Sequence, residues 1–148
     1  MSEPNSSRES YCTFRLGSLN LGVEVSNVQE VLRYQPTTRV PLTSSVVHGL
    51  MNLRGQIVTA LDLRSRLGLP KSESENPLMN VVIRSPDGPV SLLVDEIGDV
   101  VEVDQQRFEP PPETLQGAHR EFIRGTMKMD DELLLLLDTA SVLRVDAA

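Results

Sequence analysis

Two charged residues of opposite sign, Glu30 and Arg54, are the best candidates for a functional pair in this chain. Arg54 lies in residues 52–55, between two segments whose apolar residues alternate as they do in β-strands. An arginine at the tip of such a hairpin contributes little to a core and is well placed to contact a partner. Glu30 is flanked by valines in residues 28–31, which predicts an apolar surface around the acid. The pair therefore predicts a protein-binding surface, although two solvated surface charges would show the same pattern.

The other residues that could carry chemistry are isolated from one another. The sequence has no glycine-rich phosphate loop and no Cys-x-x-Cys or His-x-x-x-His metal spacing. His48 is expected to satisfy carbonyl groups at the end of a helical turn, and His119 to be solvated in a loop. Asp130, Asp131 and Glu132 lack the alternate spacing of an EF-hand loop and predict a solvated hairpin turn. The sequence therefore predicts no catalytic residue, no metal site and no cofactor.

The composition is that of a globular domain with an aliphatic core. The chain has 148 residues, of which 39% are hydrophobic and 3% aromatic. Its net charge of −7 and its few rings argue against nucleic-acid binding, which uses Lys, Arg and stacking side chains. The single cysteine, Cys12, is expected to be buried. No apolar run reaches the ~20 residues that would span a membrane, so the predicted location is the cytoplasm, without membrane insertion.

Short strands are predicted along most of the chain. Alternation predicts a hairpin over residues 12–25, strands over 78–84, 90–94 and 100–103, and a hairpin over 126–137. Residues 26–29 fit a capping box and predict a helical turn leading into 30–34. Helical turns are also expected over residues 44–48 and over 64–67, the latter ended by Gly68. Residues 85–88 predict a tight turn.

An internal duplication arranges these elements into two halves. Gly49 and Gly125 each precede a Leu-Asp pair by the same number of positions, and residues 25–31 match 94–100 in residue type. Each half is therefore expected to form its own small barrel, since closure protects the edges of so few strands. Two barrels packed together would leave a groove between them that suits a partner helix or peptide.

The motifs, taken together, resemble the CheW family of chemotaxis coupling proteins. The resemblance rests on residues 49–58, 61–63, 28–31, 93–100 and 121–125, and it covers about residues 11–145. It implies an all-β fold of two pseudo-repeated five-stranded SH3-like β-barrels packed together, with short helical turns. It also implies a flexible N-terminus over residues 1–10 and a single domain over 11–148, made of two intertwined barrels with a loop near 71–77.

The resemblance further implies a non-enzymatic adaptor that couples methyl-accepting chemoreceptors to the histidine kinase CheA. The tip of the receptor would dock at the groove between the barrels, and the kinase regulatory domain would pack against the barrel ends. Glu30 and Arg54 would form an ion pair on the receptor-facing surface. The predicted partner-binding residues are Val28, Glu30, Val31, Asn52, Leu53, Arg54 and Gly55.

Two alternatives stay open from the sequence. The same fold could serve a non-flagellar chemosensory pathway that controls twitching, development or second-messenger synthesis, since no residue labels the pathway. An enzyme or small-ligand protein would instead need a deep pocket with convergent titratable groups. One departure from the family is Thr59, where its members often have Pro. Thr59 restores a backbone donor and predicts altered strand pairing at a sheet edge.

Overall fold

The computed structural model describes residues 8–39, 46–72, 76–110, 121–129 and 132–144. Within these residues two five-stranded sheets are connected by tight turns and short helices. The elements are β1 (Arg8–Leu16), β2 (Leu19–Glu24), a 3₁₀ turn (Val25–Asn27), β3 (Val28–Leu32), β4 (Val47–Leu53), β5 (Gln56–Asp62), α1 (Leu63–Arg66), β6 (Met79–Ile83), β7 (Val90–Val94), β8 (Glu96–Asp104), a 3₁₀ turn (Gln105–Arg107), β9 (Ile123–Lys128), β10 (Leu133–Leu137) and α2 (Thr139–Leu143).

The two sheets exchange strands between the halves of the sequence. One sheet, barrel A, has the order β8-β1-β2-β10-β9, and the other, barrel B, has the order β3-β6-β7-β5-β4. Each barrel therefore takes its first hairpin from one half and its remaining three strands from the other. The expectation that each half folds into its own barrel is wrong. Because the repeats share the same apolar alternation, the sequence pattern does not distinguish a partner strand in the same half from its equivalent in the other half.

The pairing registers confirm the duplication itself. Phe14 of β1 pairs with Ile97 of β8, and the equivalent residues Ile83 and Val28 pair in barrel B. The parallel pairs are also equivalent, since β10 lies beside β2 in one barrel and β5 beside β7 in the other. The all-β prediction of two five-stranded units is thus confirmed, with the strands of the two halves interleaved.

Both short helices begin at the aspartate of the repeated Leu-Asp pair. Oδ1 of Asp62 accepts a hydrogen bond from the backbone N–H of Ser65, and Oδ1 of Asp138 accepts one from Ser141, each at 3.3 Å. These are N-cap interactions, which satisfy backbone donors in the first turn of a helix. The predicted helix over residues 64–67 is confirmed as α1, and Gly68 follows it at φ +74°.

The duplicated glycines allow each barrel to close. The chain after β3 bridges back to β4 through Thr38 and Leu50, and the chain after β8 bridges to β9 through Glu109 and Thr126. A Cβ on Gly49 would lie 2.6 Å from the carbonyl oxygen of Thr38, and one on Gly125 would lie 2.3 Å from the Phe108 ring. No side chain fits at either crossing, which explains why both halves have glycine there.

The core has one large central layer and a smaller cluster inside each barrel. The β10 strand shows how one element serves two of these layers, since Leu135 and Leu137 belong to the central cluster, whereas Leu134 and Leu136 lie inside barrel A. Strand β10 is therefore buried on both faces at the contact between the barrels, apart from Leu133, which is 38% exposed. The central layer includes Phe14, Leu21, Leu61 and Leu92 from the two sheets, Leu63 from α1, and Phe122 just before β9.

Several local predictions are corrected. The predicted helical turn forms over Val25–Asn27 and not over residues 26–29, and the side chain of its N-cap residue Glu24 makes no capping hydrogen bond. Residues 28 and 29 already belong to the strand Val28–Leu32. The β-branched valines favour this extended pairing with β6 over a helix. Strand β1 begins at Arg8, inside the segment predicted to be flexible, because residues 8–10 pair with β8. His48 lies in β4 rather than at the end of a helical turn.

Thr59 occupies a central strand. It lies in β5, between β4 and β7, and pairs with Leu50 on one side and Val90 on the other. The expected sheet edge at this position is therefore wrong, because β5 has a hydrogen-bonded neighbour on both sides. His119, Asp130 and Asp131 lie outside the described residues.

Candidate functional site

The β4–β5 hairpin ends in a two-residue turn that requires left-handed backbone. Arg54 has φ +53° and Gly55 has φ +86°, the signature of a type I′ turn, and Leu53 pairs with Gln56 across it. Oδ1 of Asn52 accepts a hydrogen bond from the backbone N–H of Gly55 at 2.8 Å. Of the residues described, Arg54 is the only one other than glycine at positive φ. Such strain in a non-glycine residue is concentrated at functional sites in proteins.

Arg54 and Glu30 form a bidentate ion pair. Nη1 and Nη2 of Arg54 donate to the two carboxylate oxygens of Glu30 at 2.7 and 2.6 Å. The pair joins β3 to the tip of the β4–β5 hairpin, which are the two edges of barrel B. The hydrogen bond from Arg54 lowers the pKa of the Glu30 carboxyl below its ordinary value, so the pair stays charged at neutral pH. The Arg54 side chain is 70% exposed and that of Glu30 is 18% exposed.

The other predicted partner-binding residues divide between the surface and the core. Val31 is 38% exposed beside Glu30, whereas Val28 packs against the central core. Leu53 is buried in the cluster inside barrel B, and its packing there holds the base of the β4–β5 turn. Ile57, which pairs with Asn52, is 60% exposed. Ile57 was missed from the sequence, although its place on the outward side of the alternation in β5 could have revealed it.

The equivalent end of barrel A keeps the acid but has a different ion pair. Asp99 stands where barrel B has Glu30, and the ion pair there joins Arg15 of β1 to Glu132 beside β10 through bonds of 2.6 and 2.8 Å. Val100 and Leu133, the equivalents of Val31 and Ile57, are exposed as well. The two barrel ends therefore share an apolar surface but differ in charge, so one partner surface would not fit both equally.

A partly enclosed apolar groove of about 300 Å³ lies between the barrels. The β1–β2 turn, β9 and β10 form the wall from barrel A, and α1 with the loop after it forms the wall from barrel B. Among the described residues its lining has one titratable side chain, Arg64, and no convergent set of acids or bases, which favours a docking surface over an active site. The apolar lining consists of Leu16, Leu19, Leu21, Leu67, Leu69, Pro70, Ile123 and Leu135.

The described residues form neither a metal-ligand cluster nor a membrane-spanning helix. Over the ranges that the structure describes, no three His, Cys, Asp or Glu side chains converge as metal ligands. No helix in those ranges is long and apolar enough to cross a membrane. Cys12 is buried in the central core, as predicted, and burial raises the pKa of its thiol.

Two interleaved barrels, a charged hairpin tip and an apolar groove together define a class of small scaffold proteins that bind other proteins. The chain belongs to the CheW family, because the family model for a CheW-like domain matches residues 10–147. The resemblance in the motifs is thereby confirmed over nearly the whole chain.

Relatives and a solved structure agree with this assignment. The chain is 31% identical to chemotaxis protein CheW from Bacillus subtilis, over 91% of this chain and 86% of the relative. It is 29% identical to a probable chemotaxis protein CheW from Rhizobium etli, over 84% of this chain and 81% of the relative. The crystal structure of the scaffolding protein TtCheW from Thermoanaerobacter tengcongensis superposes with a TM-score of 0.84 at 25% identity, covering 95% of each chain.

Proposed function

We propose that this chain is a non-enzymatic chemotaxis adaptor that couples the cytoplasmic tips of methyl-accepting chemoreceptors to the histidine kinase CheA. Membership of the CheW family over residues 10–147 supports the coupling role. The observation that carries the binding site is the strained, 70% exposed Arg54 in a bidentate pair with Glu30. In this role the protein works in the cytoplasm and joins receptor arrays through its partners.

The receptor contacts two surfaces in this proposal. The first is the tip site, made of Glu30, Val31, Asn52, Arg54 and Gly55, with Leu53 and Val28 supporting it from the core. Its mixture of one exposed cation, one acid and exposed valine is typical of protein interfaces with a desolvated centre. The second surface is the inter-barrel groove, whose leucine lining accepts apolar side chains from one face of a receptor helix.

The regulatory domain of the kinase packs against the barrel ends. Val100 is 61% exposed and Leu133 is 38% exposed at the end of barrel A. This apolar surface overlaps neither the groove nor the tip site on barrel B. Binding of the kinase on barrel A would thus leave both receptor surfaces accessible, which an adaptor requires.

Isothermal titration of a receptor-tip fragment into the wild type and into Arg54→Ala tests the tip site. We expect wild-type binding and a loss of affinity of about 30-fold or more in the variant, since truncating a charged contact in an interface commonly has that effect. Arg15→Ala is the control, because Arg15 also pairs with a glutamate, on the other barrel, where its Nη2 donates to both carboxylate oxygens of Glu132. Equal affinities for the wild type and Arg54→Ala would refute the assigned role of Arg54.

A further inference from the structure

The carboxylate of Asp95 accepts hydrogen bonds from two residues that line the inter-barrel groove, and one of these two bonds a third lining residue. Oδ2 of Asp95 accepts hydrogen bonds from the backbone N–H of Gly17 at 2.7 Å and from Nη2 of Arg64 at 2.5 Å. Nη1 of Arg64 donates to the carbonyl oxygen of Pro70 at 3.1 Å. Gly17, Arg64 and Pro70 line the groove, whereas Asp95 does not. We call these four residues the latch.

The latch joins elements of both barrels. Asp95 is the one residue between β7 of barrel B and β8 of barrel A. Gly17 lies in the β1–β2 turn of barrel A, and Arg64 lies in α1, which follows β5 of barrel B. The side chains of Arg64 and Asp95 are only 15% and 22% exposed, so water competes weakly with their charge-assisted hydrogen bonds. The spacing of the two groove walls is therefore set at this crossing.

We propose that Asp95 is a positioning residue that holds the groove at the width a chemoreceptor helix needs to insert its apolar side chains. The inference rests on the proposed function, because it states how the groove that receives the receptor is kept in shape. A volume of about 300 Å³ lies at the lower end of ligand pockets, and it suits a few side chains of a helix better than a larger ligand. A small change in wall spacing would then change the fit directly.

The charge of the groove defines the face of the helix that fits it. Of the lining residues that the structure describes, Arg64 alone is charged, and Asp95 neutralises it. The complementary helix face is apolar and uncharged where it meets Arg64. Binding in the groove should therefore depend little on salt, unlike binding at the exposed ion pair of the tip site.

A second contact keeps the barrels together when the latch is broken. Arg66 donates from Nη2 to the carbonyl oxygen of Ser141 at 2.9 Å and from Nε to that of Val142 at 3.1 Å. Its guanidinium also lies over the Phe122 ring, 4.8 Å from the centroid. Because Arg66 ties α1 to α2 independently of Asp95, loss of the latch changes the rim of the groove without separating the barrels.

The test uses Asp95→Asn, which keeps the size of the side chain and removes its charge, and Arg64→Lys, which cannot hold Asp95 and Pro70 at once. Titrations with a receptor-tip fragment at several salt concentrations should show binding about tenfold weaker for both variants. For both latch variants the slope of the logarithm of affinity against the logarithm of salt concentration should equal that of the wild type, whereas Arg54→Ala should make this slope shallower.

A second measurement follows the latch itself: hydrogen exchange of the Gly17 backbone amide should be faster in Asp95→Asn than in the wild type. Glu132→Gln, which removes an acid from a pair outside the groove, is the control and should bind as the wild type does.

The outcomes separate the latch from the coupling function. If Asp95→Asn and Arg64→Lys bind the receptor fragment within twofold of the wild type while the Gly17 amide exchanges faster, the latch does not set the fit and the inference is overturned. If both variants lose affinity for the kinase regulatory domain to the same extent, the effect is general rather than local, which also overturns it. If the wild type itself fails to bind the receptor fragment, the proposed function is refuted, and so is the inference that rests on it.

Discussion

Replacing Arg54 by Asn should separate the fold of the hairpin from its function. Asn and Gly are the residues that type I′ turns prefer, and left-handed backbone costs about 1–2 kcal/mol in most other L-residues. Arg54 is at φ +53°, so Arg54→Asn should relieve strain in the folded state. The lost ion pair offsets little of this gain, because the Arg54 side chain is 70% exposed.

The expected result is a variant that is at least as stable as the wild type and binds the receptor poorly. A relief of this size raises the midpoint of thermal unfolding by about 3 °C per kcal/mol for a domain of this length. Calorimetry measures the midpoint, and titration with a receptor-tip fragment should show a loss of about 30-fold or more. Glu30→Gln is the companion variant, since it breaks the pair without changing the turn. A lower midpoint for Arg54→Asn, or unchanged receptor affinity, would refute the view that strain at Arg54 is retained for binding.

Three further predictions concern stability. Gly49→Ala and Gly125→Ala should each lower the free energy of unfolding by about 1–3 kcal/mol, measured in urea, because the new Cβ would overlap Thr38 or Phe108. Gly22→Ala is the control: its new Cβ would have no neighbour closer than 3.4 Å, so this variant should be destabilised less. Asp62→Ala and Asp138→Ala should each cost about 1 kcal/mol by the same measurement, and a difference of several kcal/mol between them would contradict their equivalence as helix caps. Burial raises the pKa of Tyr11, so the unfolded state releases its proton first and stability should fall as the pH rises above about 10. The chain has a second tyrosine, Tyr34, so the ultraviolet titration uses Tyr34→Phe; ionisation of Tyr11 at the ordinary pH in that folded variant would contradict this.

Local sequence patterns predicted the elements that depend on neighbouring residues. The strand over Val90–Val94 and helix α1 lie where alternation and capping place them. The turn at residues 85–88 also forms as predicted, with Gly88 at φ +114°. The capping-box prediction was wrong because residues 28–32 pair with β6, a tertiary contact that overrides the local helical signal. Local pattern therefore succeeds where no distant strand competes.

The residue pattern alone did not predict the exchange of strands or most ion pairs, although the family resemblance implied intertwined barrels. Two repeats with the same alternation permit pairing within a half or between halves, and only the packed structure selects the second. The Arg15–Glu132 pair spans 117 positions and the Arg64–Asp95 pair spans 31, so no spacing rule brings either together. The ion pair of Glu30 and Arg54 was implied by the family motifs, and the structure shows its geometry, whereas its role in partner binding stays a prediction.

An adaptor of this kind must hold a receptor and a kinase at the same time. The decisive experiment titrates a receptor-tip fragment into this protein when it is already saturated with the CheA regulatory domain, and measures the mass of the product by sedimentation. We expect the receptor fragment to bind with nearly the affinity it has for the free protein, giving a complex that contains all three chains. Displacement of the kinase domain by the receptor fragment, or failure of either to bind, would contradict it.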